Sequence, residues 1–264
     1  MKGEKFLILG NDKKMISCCN KLRRMGYTAE MYDNCKDFDR FNNIILPLPT
    51  IANRKIKGTD MTFDEFKQKL DCEQKVFCGN FNVTSVENYY SYYYDEAFLI
   101  NNSRLTAQGV LRLILDSIDS DLLELNAVVI GYGRCGKAIS RLLKNCGINV
   151  VSASRRNKTL LEAHEDGIKA VLINQIDELV DSTDIVINTV PVNIIKREYI
   201  SRLDSNDIYI EVASKPYGFD ITETDVYNFR YILAESLPGR FAPESAGENI
   251  ADTVLKILKE EVYG

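Results

Sequence analysis

The densest chemistry in the sequence lies in Gly131-Tyr132-Gly133-Arg134-Cys135-Gly136, which follows the apolar run Ala127-Val128-Val129-Ile130 and opens a helical stretch from Lys137 to Lys144. A Gly-x-Gly-x-x-Gly pattern between a strand and a helix suits a dinucleotide. Gly131 allows the tight turn, Gly133 lets the backbone approach a pyrophosphate, and Gly136 lets helix pack on strand. The helix N-terminus then presents amide hydrogens to the phosphates. The next strand, Asn149 to Ala153, runs into Ser154-Arg155-Arg156 and carries no acid for a ribose 2′-hydroxyl. Two guanidiniums and a hydroxyl suit a 2′-phosphate instead, which favours NADP over NAD.

Three further segments carry polar groups at the ends of expected strands. Asn188-Thr189-Val190-Pro191 and Ala213-Ser214-Lys215-Pro216 both close parallel strands, at the edge where open α/β sheets hold their ligands. The first, through Thr189, Val190 and Pro191, would line the nicotinamide side, and the second offers Ser214 and Lys215 to a bound acid. The third, Leu237 to Gly247, reads as a long irregular segment feeding the last helix. Its Arg240 supplies a bidentate fork for a carboxylate, and the amides of Ser245, Ala246 and Gly247 would hold a second anion.

Other chemistries are excluded by count. The single histidine, His164, sits in a polar stretch closed by Gly167 and reads as a surface residue, so no histidine metal cluster or Ser-His-Asp device is expected and no metal site is assigned. Seven cysteines, Cys18, Cys19, Cys35, Cys72, Cys78, Cys135 and Cys146, are scattered without a Cys-x-x-Cys pair and read as reduced thiols. The balance of 33 Lys+Arg against 38 Asp+Glu gives a net charge of -5 and no footprint for a phosphate backbone, so nucleic acid is not an expected partner. No apolar run reaches the roughly 18 residues of a membrane span, and Phe6 to Leu9 is too brief for a signal-peptide core. A cytoplasmic protein is expected.

The elements that must position these groups form two α/β series. In the first, strands are expected at Phe6 to Leu9, Thr28 to Tyr32, Asn43 to Leu46, Lys75 to Cys78 and Ala97 to Ile100, with a helix through Met15, Cys18, Leu22 and Met25. The tyrosine run from Tyr89 to Tyr94 reads as a helix packed by aromatic side chains. In the second, strands at 127–130, 149–153, 170–173, 184–189, 208–212 and 231–233 alternate with helices, as in a doubly wound parallel sheet. The fold expected is therefore α/β, with two Rossmann-like domains joined by crossing helices. An N-terminal domain covers 1–102, a dinucleotide-binding Rossmann domain covers 121–245, and helices about 103–120 and 246–264 lie at the junction.

Taken together, the glycine motif, Asn188-Thr189-Val190-Pro191, Ala213-Ser214-Lys215-Pro216 and Leu237-Pro238-Gly239-Arg240-Phe241-Ala242-Pro243 resemble the dipicolinate synthase A subunit family. Gly10-Asn11-Asp12, Leu46-Pro47-Leu48-Pro49 and Asn102-Ser103 ahead of Thr106-Ala107-Gln108-Gly109 fall in that family's order. The sequence departs from the family pattern at Leu105 and Gln108, and at Tyr217-Gly218, where the family tends to carry two glycines.

The resemblance implies oxidation of a dihydropyridine dicarboxylate, formed from 4-hydroxy-tetrahydrodipicolinate by loss of water, to dipicolinic acid for bacterial spores, with NADP as hydride acceptor. It also implies a B subunit resembling flavoproteins and a mother-cell location. In that reaction Arg240, Lys215 and Arg104, with Ser214 and the amides of Ser245 and Ala246, would hold the two carboxylates. The proton would leave to Lys215, Glu244 or water, so Lys215, Arg240 and Glu244 are the candidate catalytic residues. Two other readings stand beside it: another two-domain NADP-dependent dehydrogenase of the hydroxy-acid or shikimate type, and a dinucleotide-binding subunit without chemistry of its own.

Overall fold

The computed structural model describes residues 3–33, 37–80, 88–220 and 228–263, which form thirteen strands and eight α-helices. Cys35 lies outside the described residues; the other six cysteines are free thiols. Among the described residues no helix is long and apolar enough to cross a membrane. The chain divides into two units, one made of Met1–Asn102 with Ala242–Gly264 and the other of Ser103–Phe241.

The elements run in chain order as β1 (Lys5–Ile8), α1 (Lys13–Arg24), β2 (Thr28–Met31), β3 (Asn43–Ile45), β4 (Ile51–Ala52), β5 (Lys55–Ile56), α2 (Phe63–Gln68), β6 (Lys75–Cys78), β7 (Tyr89–Ser91) and α3 (Glu96–Leu115). They continue as β8 (Asn126–Ile130), α4 (Arg134–Asn145), β9 (Asn149–Ser154), α5 (Asn157–Glu165), β10 (Lys169–Leu172), β11 (Ile185–Asn188), α6 (Arg197–Ile200), β12 (Ile208–Glu211), β13 (Arg230–Leu233), α7 (Leu237–Phe241) and α8 (Pro243–Tyr263).

The first unit is a five-stranded parallel sheet in the order β2-β1-β3-β6-β7, the flavodoxin-like order of a doubly wound fold. Its inner strands β1, β3 and β6 are buried on both faces, as parallel strands under helices must be. Phe6, Ile8, Ile45 and Phe77 face one core and Leu7, Leu9, Ile44 and Val76 the other, as the two-residue strand period requires. Helix α1 starts where the Asp12 carboxylate accepts the Met15 amide at 3.0 Å. Its stripe of Met15, Cys18, Cys19 and Leu22 packs on Ile250, Ala251, Val254, Leu255 and Leu258 of α8. At their crossing a side chain on Gly247 would stand 2.1 Å from the Lys14 carbonyl, so the two backbones meet directly.

The second unit is a six-stranded parallel sheet in the order β10-β9-β8-β11-β12-β13. Counted within the unit this is 3-2-1-4-5-6, the Rossmann order. The inner strands β8, β11 and β12 are almost wholly buried. Ala127, Val129, Ile185 and Ile187 join one apolar layer, while Val128, Ile130, Val186 and Tyr209 join the other.

Local structure departs from the sequence reading at three places. The expected strand Ala97 to Ile100 is the first turn of α3, because Asp95 caps a helix there: its carboxylate accepts the Phe98 amide at 2.9 Å. The helix expected at about 103–120 accordingly begins at Glu96 and ends at Leu115. The tyrosine run is not an α-helix. Tyr89–Ser91 adds the edge strand β7, and Tyr92–Tyr94 makes a single 3-10 turn whose Tyr92 hydroxyl donates to the Leu46 carbonyl at 2.9 Å. The expected irregular segment before the last helix instead coils into α7, and α8 starts at Pro243 rather than at about 246.

Candidate functional site

The 3-2-1-4-5-6 order puts the topological switch point of the second unit between β8 and β11, and ligands of open α/β sheets bind outside the carboxyl ends of the strands at such a point. The glycine motif follows β8 at that edge, and Thr189 follows β11. The backbone of Gly131 is in the left-handed region (φ +97°), and a side chain there would come within 2.5 Å of Thr189 Oγ1 and 2.7 Å of Val190 Cγ2. Thr189 is fixed by two bonds to the Ile130 carbonyl, from its amide at 3.0 Å and its hydroxyl at 2.8 Å. The two loops therefore touch, and only a residue without a side chain fits between them.

Gly136 lies against the same turn: a Cβ there would stand 2.0 Å from the Gly131 carbonyl oxygen. Gly133 is different. It caps α4 at φ -80°, and a Cβ added to it would meet nothing within 4 Å. That open face beside the amides of the first turn of α4 is the space a pyrophosphate requires, so the residues present fit a dinucleotide. The three glycines thus differ in their surroundings, Gly131 in a tight left-handed turn, Gly136 against that turn and Gly133 with an open face.

Other motif residues are placed less uniformly. Arg134 is exposed and Cys135 half-buried, its Sγ 3.6 Å from Ser103 Oγ. Tyr132 contributes only backbone at this edge. Its ring is buried in the core layer, and its hydroxyl donates to Asp166 at 2.6 Å. Asp166, at the end of α5, also pairs with Arg141 and lies 3.7 Å from Lys137, both on α4. The Arg141 hydrogen bond, helped by Tyr132 and Lys137, holds the Asp166 carboxyl down at about 2. This carboxylate, absent from the sequence reading, locks α5, α4 and the glycine turn together.

At the end of β9, Arg155 and Arg156 are exposed and form no ion pair among the described residues. The Ser154 hydroxyl is shared with Thr159 and accepts the Arg156 amide at 3.4 Å. No acid stands at this strand end.

On the other side of the switch point, Lys215 is exposed with its ammonium 5.9 Å from the Tyr217 ring centre, and Ser214 is exposed beside it. Arg240, on α7 just beyond β13, is exposed, stacks 5.1 Å over the Phe241 ring and reaches the Glu235 carbonyl at 3.4 Å. Lys215 and Arg240 thus follow neighbouring strands at one edge of the sheet. Arg104 is exposed on α3, which packs on α7 where Gly109 meets the Leu237 side chain.

Glu244 and Ser245 lie exposed in the first turn of α8, in the first unit. The anion-binding expectation for Ala246 and Gly247 is corrected. Because α8 starts at Pro243, the Ala246 amide is donated to the Ala242 carbonyl at 2.9 Å, and Gly247 is buried against α1.

The residue most plainly missed is Glu211, the last of β12. It is fully buried, accepts four hydrogen bonds and has no cation partner among the described residues. Burial pushes its carboxyl above the ordinary value, against the hydrogen bonds from Gly218, Asn188, Ala213 and Tyr209. An acid inside Ile208-Tyr209-Ile210-Glu211-Val212 was the available signal, since charged residues are seldom fully buried unless paired.

A Rossmann sheet with a glycine cradle at its switch point defines a nicotinamide-dinucleotide-binding domain of dehydrogenase type. The chain belongs to the family described as acetohydroxy acid isomeroreductase, NADPH-binding domain, which it matches over residues 121–252. Along nearly its whole length it is similar to the A subunit of dipicolinate synthase from Bacillus subtilis (strain 168), at 24% identity over 98% of this chain and 97% of that protein. The resemblance seen in the motifs thus extends across both units.

Solved structures agree on the fold. The dipicolinate synthase A subunit of Bacillus halodurans superposes with a TM-score of 0.84 at 23% identity, covering 97% of this chain and 98% of that one. Its counterpart from Bacillus subtilis gives 0.82 at 23% identity, covering 98% and 97%.

Proposed function

We propose that the chain is the A subunit of a dipicolinate-forming oxidoreductase. It oxidises dihydrodipicolinate, formed from 4-hydroxy-tetrahydrodipicolinate by loss of water, to dipicolinic acid, with NADP preferred over NAD. The observation that carries this reading is the similarity to the A subunit of dipicolinate synthase over 98% of the chain. Bound at the Gly133 cradle, NADP supplies the hydride acceptor. The exposed pair Arg155 and Arg156, at a strand end with no acid, supports the NADP preference.

The chain's own residues bind and orient. The substrate carries two carboxylates, and Lys215 and Arg240 follow adjacent strands at the ligand edge, with Ser214 and Arg104 as further donors. Each cation is backed by an aromatic ring, which holds it outward without neutralising it. The substrate would lose a hydride to the bound dinucleotide and a proton to water, and its ring would become aromatic. The driving force therefore lies in the substrate and the protein's share is positioning. A flavoprotein-like B subunit completes the reading, with action in the mother-cell cytoplasm of a sporulating bacterium.

The test is dipicolinate formation from 4-hydroxy-tetrahydrodipicolinate by the purified chain, with and without a B-type subunit, under NADP and under NAD. Product that requires the partner and runs preferentially with NADP is expected. Tight NADP binding without product under any condition would turn the assignment to other dehydrogenase substrates.

A further inference from the structure

We propose that Glu211 is a positioning residue that fixes the loop after β11 and the loop after β12 relative to each other, and with them Ser214 and Lys215. The inference rests on the oxidoreductase reading only for its effect on turnover. The geometry begins with how the two carboxylate oxygens are divided. Oε1 accepts Asn188 Nδ2 at 2.8 Å and the Ala213 amide at 3.1 Å. Oε2 accepts the Gly218 amide at 3.0 Å and the Tyr209 hydroxyl at 3.3 Å.

The partners belong to different segments. Asn188 ends β11, and its side chain also holds the next loop, with Oδ1 accepting the Val190 amide at 3.1 Å and Nδ2 donating to the Val190 carbonyl at 3.0 Å. Ala213 and Gly218 bracket Ser214 and Lys215. Gly218 carries the tie further, since its carbonyl accepts the amides of Ile194 and Ile195, both at 3.0 Å. One carboxylate thus joins residues 188–195 to residues 213–218.

Two features indicate that the arrangement serves more than packing. A buried carboxylate without a cation is a costly way to fill a strand end, where an apolar residue of the same size would suffice for stability alone. Here three of its four partners are obligate N–H donors, which an acceptor-only carboxylate satisfies and an amide does not. The close approach is also built in. A side chain on Gly218 would stand 2.6 Å from the Tyr209 hydroxyl oxygen and 2.7 Å from Asn188 Nδ2. Tyr209, stacked on Tyr231 with Phe219 edge-on at 4.9 Å, supplies an aromatic neighbourhood for the group.

The experiment uses Glu211→Gln in the full chain, with Tyr209→Phe as a milder variant that removes one of the four donors and keeps the ring. Amide hydrogen exchange is followed over 188–195, 213–218 and two controls, 13–24 in the first unit and 134–145 in the second. Exchange at the first two segments is expected to rise together by at least about tenfold in the Gln variant and by less in the Phe variant, with both controls unchanged. NADPH affinity is expected to fall by less than about tenfold, because Gly133 and the first turn of α4 keep their own contacts while only the loop of Thr189, Val190 and Pro191, packed on Gly131, loosens. With the partner subunit present, kcat is expected to fall at least about tenfold while KM moves less than about threefold, the pattern of a substrate bound but misaligned.

Loosening of only one segment, of neither, or of the whole second unit equally would overturn the proposal. If the Gln variant does not fold, the Phe variant decides: a joint rise at both segments with the controls unchanged supports the proposal, and a rise at one segment, at neither or throughout the second unit overturns it. If the unsubstituted chain forms no dipicolinate while both segments loosen together, the chemical reading fails and the positioning role stands.

Discussion

Substituting the glycines of the cradle one at a time separates what each does. Gly133→Ala keeps a permitted backbone, since φ is -80°, and its new methyl meets nothing within 4 Å. The loss in stability is then that of alanine for glycine at a helix N-cap, about 0.5–1 kcal/mol, or about 1–4 °C in melting temperature for a chain of this size. The same methyl fills the space a phosphate must enter. Losing one charge-assisted hydrogen bond of about 1.5–3 kcal/mol weakens dinucleotide binding roughly 10- to 150-fold.

Gly136→Ala inverts the pattern. Its Cβ would sit 2.0 Å from a backbone oxygen, where ordinary contact begins at 3.4 Å, so α4 must lift from β8 by more than 1 Å. Overpacking of that kind costs about 1–3 kcal/mol or more. Thermal melts and a fluorescence titration with NADPH measure both quantities on the same samples. A Gly133→Ala protein that binds NADPH as tightly as the unsubstituted chain would refute the cradle.

Two further outcomes follow from named contacts. On the proposed NADP reading, Arg155→Ala weakens NADP by about tenfold, as expected for one exposed phosphate contact, and leaves NAD nearly unchanged; an equal loss for both, measured by titration, removes the 2′-phosphate assignment. Asp166 is held at about 2 against an ordinary 3.8, so it contributes stability that is fully present above about pH 4 and fades as the pH falls towards 2. The stability gap between the unsubstituted chain and Asp166→Asn, from denaturant unfolding, should therefore be flat from pH 5 to 7 and narrow below 4; a gap that widens on acidification sinks the argument.

The cradle was legible because its signal is local: strand, three glycines and helix lie within twenty residues, and each glycine answers to a backbone requirement. The sheet strands were legible for a related reason, since central parallel strands are short apolar runs. What failed had local ambiguity or a distant cause. Ala97 to Ile100 is apolar and short, a pattern shared by strand and helix, and the Asp95 cap decided it. The tyrosines at 89–94 suit a strand edge as well as a helix face. Asp166 acts through Arg141 and Tyr132, 25 and 34 residues away, so nothing in its neighbours marks it. Glu211 was visible as an acid in an apolar strand, yet its meaning depends on amides that only the folded loops bring together.

The first unit is assembled from two separate segments, with the second unit between them in the sequence. This imposes an order on synthesis. Residues 103–241 leave the ribosome as one uninterrupted segment and can close their sheet while translation continues. The sheet of the first unit, translated earlier, must wait for α8, whose Ile250, Val254 and Leu258 complete the layer over Phe6, Ile8 and Phe77. Until α8 appears, α1 has its apolar stripe uncovered, so the first unit, begun before the second, is finished only after it.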